Sequence, residues 1–250
     1  MESYEYQTMY DYETSYWWYV GLHRILQELL IDLRLDSYSR ILDAGCGTGQ
    51  FLFHIKQISG YFFGFDLSEN AVSFWEKRGI NNVFLASLND IPLKSAVFNA
   101  VTSIDVLECD EVDEKEAIKE ITRLLKPGGY FLIIVPAYNW LKTPDHHNAV
   151  HASRRYTRKR LKGLLSSEGL VLVRITHLFM LVFPAIVLYR MTLRFLRIFQ
   201  TKKVNPRSEL KPLPPIINQG LITVMRLEQW LLNYFNLPIG SSIVAVARKK

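Results

Sequence analysis

The sequence predicts an α/β fold: a seven-stranded, mostly parallel, doubly wound sheet with a helical insertion before the last strand. Three observations predict it. Short apolar, β-rich runs alternate with helix-length segments over the first two thirds of the chain, the pattern of right-handed βαβ units. A glycine-rich turn, Gly45-Cys46-Gly47-Thr48-Gly49, joins the first apolar run to a helix. Finally, 64 residues, 177–240, separate the last two strand candidates.

The elements follow in order. The aromatic run Tyr16-Trp17-Trp18-Tyr19 leads into an apolar helix, roughly Gly21–Leu33. Ile41 and Leu42 close a first strand, and Phe51, Leu52, His54 and Ile55 open the helix beyond the glycines. Tyr61–Phe65 is a second strand ending at Asp66; Ser68 caps a helix that Gly79 stops after Arg78. Asn82–Ala86 and Ala100–Ile104 are the next strands. Asp113 and Glu116 have capping-box spacing for a helix to Leu125, and Lys126-Pro127-Gly128-Gly129 makes a tight turn into the strand Tyr130–Val135. Thr157 caps a helix to Ser167, Leu170–Thr176 is a sixth strand, and Ser242–Arg248 is the last. In the insertion, Gln219, Arg226, Gln229 and Asn233 form a polar stripe on a helix near Ile216–Phe235, so most of its other face should be buried.

Composition sets the bounds. A chain of 250 residues, 49% hydrophobic and 22% charged, can bury one substantial core and is not globally disordered. We expect a single domain over 1–250, with an N-terminal aromatic helical cap over 1–35 and the insertion 177–240 as a lid or platform. Net charge is +6, with six basic side chains from Arg154 to Lys162 and seven from Arg190 to Lys211; such clusters favour an acidic partner, or are simply solvated helix faces. Two cysteines, Cys46 and Cys109, suggest a reducing compartment and no metal site. The N-terminus has neither a basic nor an apolar leader region, so a cytoplasmic protein is expected. The longest apolar run, Leu178–Tyr189, has twelve residues, where a bilayer span needs about 20.

A strand, a glycine turn and a helix N-terminus make a nucleotide-sized crevice at the carboxyl end of a parallel sheet. Its chemistry is narrower than that. The dinucleotide fingerprint G-x-G-x-x-G would place its third glycine at Gln50. The spacing here is G-x-G-x-G, with Asp43 two residues before Gly45. That carboxylate would repel a pyrophosphate and attract a cationic amino-acid portion, which favours S-adenosylmethionine over a nicotinamide dinucleotide. Asp66, 21 residues after Gly45, can accept from ribose hydroxyls, with Leu67 against the adenine.

At these residues the chain resembles the class I, Rossmann-like S-adenosylmethionine-dependent methyltransferases. Ser87-Leu88-Asn89-Asp90-Ile91-Pro92-Leu93 is similar to the family segment G-D-A-E-x-L-P-F, with Ser87 at the Asp position. Phe98-Asn99-Ala100-Val101 follows F-D-x-V, Asp105-Val106-Leu107-Glu108-Cys109 follows D-V-L-E-H, and Lys126–Gly129 is a further family feature. The departures are Ser87, Asn99 and Cys109. Together the matches cover about residues 40–136. The resemblance implies S-adenosylmethionine as cofactor, held by Asp43, Gly45, Cys46, Gly47, Gly49, Asp66, Leu67, Ser87, Leu88 and Asp105. Asp105 would face the methionine end or the transferred methyl. The N-terminal Trp-Trp and the run His151-Ala152-Ser153-Arg154-Arg155-Tyr156-Thr157 resemble a bacterial and archaeal subgroup with an H-x-x-R-R-Y-T-like segment.

For the acceptor side the sequence offers Tyr16, Trp17, Trp18, Tyr138 and Arg155 as substrate contacts. Arg24 would reach the cofactor carboxylate. His146 or His151 would act as general base, an ordinary role for an imidazole near its normal pKa; the catalytic candidates are thus His146, His151 and Asp105. Arg190, Arg194 and Arg197 recur at helical spacing after the apolar run, as in a helix lying in a membrane interface. The expected function is O-methylation of a small or lipid-linked molecule, with peripheral membrane contact through 178–200 at the inner face. A homodimer through the same surface is the competing use. Methylation of RNA and a non-catalytic cofactor-binding regulator are the alternatives, nucleic acid being disfavoured because no appended RNA-binding module is visible.

Overall fold

The structure, a computed structural model, describes residues 1–142, 151–198 and 212–250. Among the described residues the strands are β1 Arg40–Ala44, β2 Tyr61–Asp66, β3 Val83–Leu85, β4 Phe98–Ile104, β5 Leu125–Pro136, β6 Leu170–Leu178 and β7 Ser242–Lys249. They form one sheet in the order β3-β2-β1-β4-β5-β7-β6. The pairs β1–β2, β1–β4, β2–β3 and β4–β5 are parallel, and β7 runs antiparallel to both β5 and β6. The carboxyl ends of β1 to β6 therefore share one edge. The order reverses at β1, and ligands bind outside strand ends at such a switch point.

Two apolar layers cover the sheet. On one face lie α1 Ser3–Tyr12, α2 Trp17–Asp32, α3 Gln50–Lys56, α4 Val72–Arg78 and α8 Pro215–Leu232; on the other lie α5 Glu114–Leu124 and α6 Arg158–Ser167. Strand alternation sorts the residues: Ile41 faces the first layer, Leu42 and Ala44 the second. Helix α2 contributes Leu22, Ile25, Leu26, Leu29 and Leu30, all buried, each stabilising by about 1.5–3 kcal/mol relative to exposure. Its first turn holds Trp17 and Trp18, so the aromatic run lies inside the helix.

The local signals act by identifiable bonds. Thr157 accepts from the Arg160 amide and Ser68 from the Asn70 amide. Asp113 accepts from the Lys115 and Glu116 amides, but its own amide donates to Asn89 Oδ1, and Glu116 pairs instead with Lys119. The box is therefore half closed. Lys126–Gly129 is part of β5 rather than a turn before it: Leu125 pairs with Phe98, and the register shifts between Phe98 and Ala100. A Cβ on Gly129 would sit 3.0–3.2 Å from three carbonyl oxygens, so two backbones approach where no side chain fits.

The insertion departs most from expectation. Its helices are α7 Phe183–Ile198 and α8. On α8 only Ile222, Met225, Glu228 and Leu232 are buried, while Leu227 and Trp230 on the helix, and Tyr234 and Phe235 just after it, are exposed. The predicted burial of most of the non-polar face is thus corrected. The buried stripe is narrow, and Glu228 within it accepts from the Phe179 and Leu181 amides. Leu188, Met191 and Phe195 of α7 also face solvent. No described helix is long and apolar enough to cross a membrane.

Candidate active site

The glycine turn leaves β1 with Gly45, Gly47 and Gly49 all at positive φ, conformations costly for other residues. A Cβ on Gly45 would overlap Val106 after β4. Helix α4 clamps the turn from outside: Trp75 Nε1 donates to the Gly47 carbonyl (2.8 Å) and Arg78 Nε to the Thr48 carbonyl (3.1 Å). Helix α1 is followed by Glu13, buried, which accepts from Thr48 Oγ1 (2.6 Å) and pairs with Arg78.

Asp43 is buried at the end of β1 and accepts from Thr102 Oγ1 of β4 at 2.6 Å. Burial pushes its carboxyl up to about 7, with the nearby Asp66 adding to the rise and Thr102 opposing it. Asp66 accepts the Gly47 amide on Oδ2 (2.9 Å), and the Ser68 amide (3.0 Å) and Tyr6 Oη (2.9 Å) on Oδ1. Each carboxylate oxygen has two lone pairs. One site on Oδ2 therefore stays open to a ribose hydroxyl, while Tyr6 holds the site the second hydroxyl would need. Leu67 beside it is 53% exposed, as an adenine platform requires.

The charges converge. Asp105, after β4, has a positive φ of 51°; burial raises its carboxyl and that of Glu108, and Arg155 opposes both. The Tyr19 phenol is raised by burial and by Glu13, Glu5 and Asp105. In a chain of net charge +6, the crevice is thus lined by acids. A cofactor carrying a sulfonium and an ammonium fits this lining; a pyrophosphate does not.

Other predicted residues fall as follows. Cys46 turns its thiol onto Gly64 and gives its amide to the Phe65 carbonyl, so its part in the turn is backbone. Ser87 Oγ accepts from the Asn89 amide and Leu88 is buried in the second layer, which leaves their backbone for the adenine. Arg24 is half-buried on α2, and its charge bears on His54 of α3, so a reach to the cofactor carboxylate is not what the structure places there. Trp17 and Trp18 pack on Phe179, Trp18 stacked at 5.7 Å, and Tyr16 lies against Tyr12 and Trp17. His151 Nε2 meets Glu2 Oε1 at 2.9 Å, at the start of α1, and its side chain is 42% exposed. His146 lies outside the described residues. Arg155 is buried and donates to the Ala137 carbonyl; it is a counter-ion for Asp105 and Glu108.

Tyr138, two residues after β5, meets His177 Nε2 at 2.9 Å and stacks with Trp140, with Phe183 alongside. Sequence reading missed Tyr6, Glu13 and His177. No local signal marks them, because each reaches its partner across a long stretch of chain. Among the described residues no group of His, Cys, Asp or Glu is placed to hold a metal.

Comparison with known proteins agrees with this geometry: residues 42–133 match the family described as "Methyltransferase domain". The matched stretch is 92 residues, from β1 to β5. It is 38% identical over 103 residues to a tRNA (carboxymethyluridine(34)-5-O)-methyltransferase of Arabidopsis thaliana, covering 40% of this chain and 25% of that protein. It is 29% identical over 152 residues to a malonyl-[acyl-carrier protein] O-methyltransferase of Enterobacter lignolyticus, covering 57% and 59%. The matches thus span from a quarter to about three fifths of these relatives. Among solved structures, the geranyl diphosphate C-methyltransferase of Streptomyces coelicolor, in complex with Mg2+, geranyl diphosphate and S-adenosyl-L-homocysteine, superposes with a TM-score of 0.56 at 17% identity, over 90% of this chain and 78% of that one. The chain thus has the fold of the class I methyltransferases, and the relatives differ in the acceptor named.

Proposed function

We propose that the protein transfers the methyl group of S-adenosylmethionine to an oxygen of a small or lipid-linked acceptor. The observation that carries the reading is the set of acids Asp43, Asp66 and Asp105 around the glycine turn, at the sheet edge where the aromatic cluster of Tyr138, Trp140 and Phe183 follows β5. When bound, the cofactor supplies a carbon already activated by its sulfonium. The chain's own residues position and desolvate: Asp66 accepts from the ribose, Asp43 answers the ammonium, and the aromatic faces suit a nearby positive charge. The names of two relatives, both O-methyltransferases, support oxygen as the acceptor atom.

The lipid-linked part of the reading rests on the insertion. Leu188, Met191 and Phe195 form an exposed stripe on α7 at helical spacing, and basic residues follow in the sequence. In this reading 178–200 lies on the inner face of the cytoplasmic membrane and presents the acceptor to the pocket. RNA is the second acceptor class, favoured by the tRNA-methylating relative and by the exposed Arg158, Lys159 and Lys162 of α6.

The test is calorimetry with S-adenosylmethionine, followed by tritiated methyl transfer into the lipid, polar and RNA fractions of a cell extract. Binding with label in lipid is expected. Binding with label in RNA replaces the acceptor, and binding without label in any fraction leaves a regulator. Flotation on anionic vesicles should enrich the protein; no enrichment, with a dimer in solution, assigns the α7 stripe to a second copy.

A further inference from the structure

We propose that Tyr138 and His177 are the proton-accepting pair of the acceptor site, Tyr138 touching a hydroxyl-bearing acceptor and His177 holding the proton behind it. The inference deepens the O-methylation reading and rests on it. It narrows the acceptor to a hydroxyl, since a carboxylate has no proton to give at neutral pH.

The pair is built across the sheet. Pro136 of β5 and Leu178 of β6 both register on Ser242 of β7, so Tyr138 and His177 flank β7 at one level of the ligand-binding edge. His177 is buried, 2% exposed. Its Nδ1 lies 3.2 Å from the Leu237 carbonyl oxygen. A carbonyl only accepts, so Nδ1 carries the ring proton and Nε2 presents its lone pair. The atom facing that lone pair is Tyr138 Oη, at 2.9 Å, which therefore donates. The direction of proton movement is thus fixed from the phenol towards the imidazole.

Tyr138 is held for this at a cost. Its φ is 55° with ψ 115°, a region that non-glycine residues rarely adopt and that persists only where surrounding contacts hold it. The Tyr138 amide donates to the Tyr156 carbonyl and its carbonyl accepts from Leu141, which pins the strained backbone. The ring lies 5.5 Å from His177 and 5.8 Å from Trp140, stacked on both, and stays half-buried.

In the transfer, the methyl–sulfur bond breaks and sulfur keeps its electron pair. The acceptor oxygen bonds the methyl and releases its proton to Tyr138 Oη, and the phenol proton moves to His177 Nε2. The imidazolium then returns its proton to water. Burial holds the His177 pKa below its ordinary value, so the ring is neutral and able to accept at pH 7. Among the described residues, the charged groups near the pair are Arg158 of α6, which acts on both rings, and Glu228 of α8, which sits on the Phe179 amide two residues from His177.

The experiment uses the full chain, tritiated S-adenosylmethionine and a total cell extract as acceptor source, with Tyr138→Phe and His177→Gln. Both variants should bind the cofactor within twofold of wild type by calorimetry and lose on the order of 100-fold or more in transfer. In His177→Gln the side-chain amide can still accept from Tyr138 but takes no proton, so the rise of rate with pH should vanish in that variant while its melting temperature stays close to wild type. The methylated product should resist mild alkali, as an ether does. Base-labile product, or transfer within threefold of wild type in Tyr138→Phe, overturns the pair and leaves the methyltransferase reading standing. Failure of wild type to bind the cofactor overturns the reading beneath it. Independently of turnover, the 15N shifts of His177 should report Nδ1–H and a bare Nε2 at pH 7.5; an Nε2–H tautomer overturns the proposal.

Discussion

The two halves of the site are built differently. The cofactor side is local: Asp43, the three glycines and Asp66 lie within 24 residues of one another, and each does its work through its own backbone or the nearest strand end. The proposed acceptor side and the insertion beside it are assembled from distant pieces, with Tyr138 and His177 separated by 39 residues, Trp17 and Asn218 by 201, and Phe179 and Glu228 by 49. A ligand that must be approached by bare backbone forces glycine and a fixed spacing on the sequence. A pocket made of side chains from several elements forces nothing that neighbours in sequence can reveal.

Five outcomes would break or sharpen that contrast. The largest belongs to the non-local half: Glu228→Ala should cost on the order of 3 kcal/mol in urea unfolding, since it strands the Phe179 and Leu181 amides in the interior. Little change would mean that the insertion packs without that carboxylate. On the local half, Asp66→Ala should weaken S-adenosylmethionine binding by roughly 10- to 100-fold in calorimetry, with a smaller change in melting temperature.

The third is a pH effect. Asp43 titrates near 7 in the folded protein and near 3.9 when unfolded, so its protonated form is the one the empty fold favours. Its contribution to stability is complete below about pH 4 and is lost as pH rises towards 7. The ammonium of the cofactor favours the anion, so affinity should rise from pH 6 to pH 7.5, by up to about tenfold per unit. In Asp43→Asn both slopes should flatten; unchanged slopes would move the titration to another group.

Asn218→Ala should cost about 1 kcal/mol, because Asn218 accepts the Trp17 amide and donates to the Ser15 carbonyl in the manner of a helix cap. The smallest effect is expected from Tyr6→Phe. Removing a hydroxyl that occupies Asp66 Oδ1 should tighten cofactor binding a few-fold; a weakening would make Tyr6 a cofactor contact rather than a competitor.

Much of the fold was legible in residues whose backbone roles are narrow. Thr157 starts α6 and Gly79 stops α4 where expected, because capping is decided within a few residues; Ser68 caps instead the 3-10 turn Glu69–Ala71 that leads into α4. The Lys126–Gly129 stretch misled because its glycines serve a close approach between strands rather than a turn. Helix α1 left no signal: its acids and tyrosines have little amphipathic pattern, and it is held by Glu13 on Thr48 and Arg78 and by Tyr6 on Asp66, at sequence separations of 35 to 65 residues. His151 looked like a base because it sits among basic residues after the fifth strand, yet its ring pairs with Glu2.

The bonds at Asn218 have a mechanical consequence. They fasten the insertion to the first turn of α2, and the chain just before that turn carries Glu13, which grips the glycine turn. Pressure or support applied to α8 from outside is therefore transmitted to the strap over the cofactor. A load on the insertion would thus reach the glycine turn through three side chains, Asn218, Glu13 and Thr48.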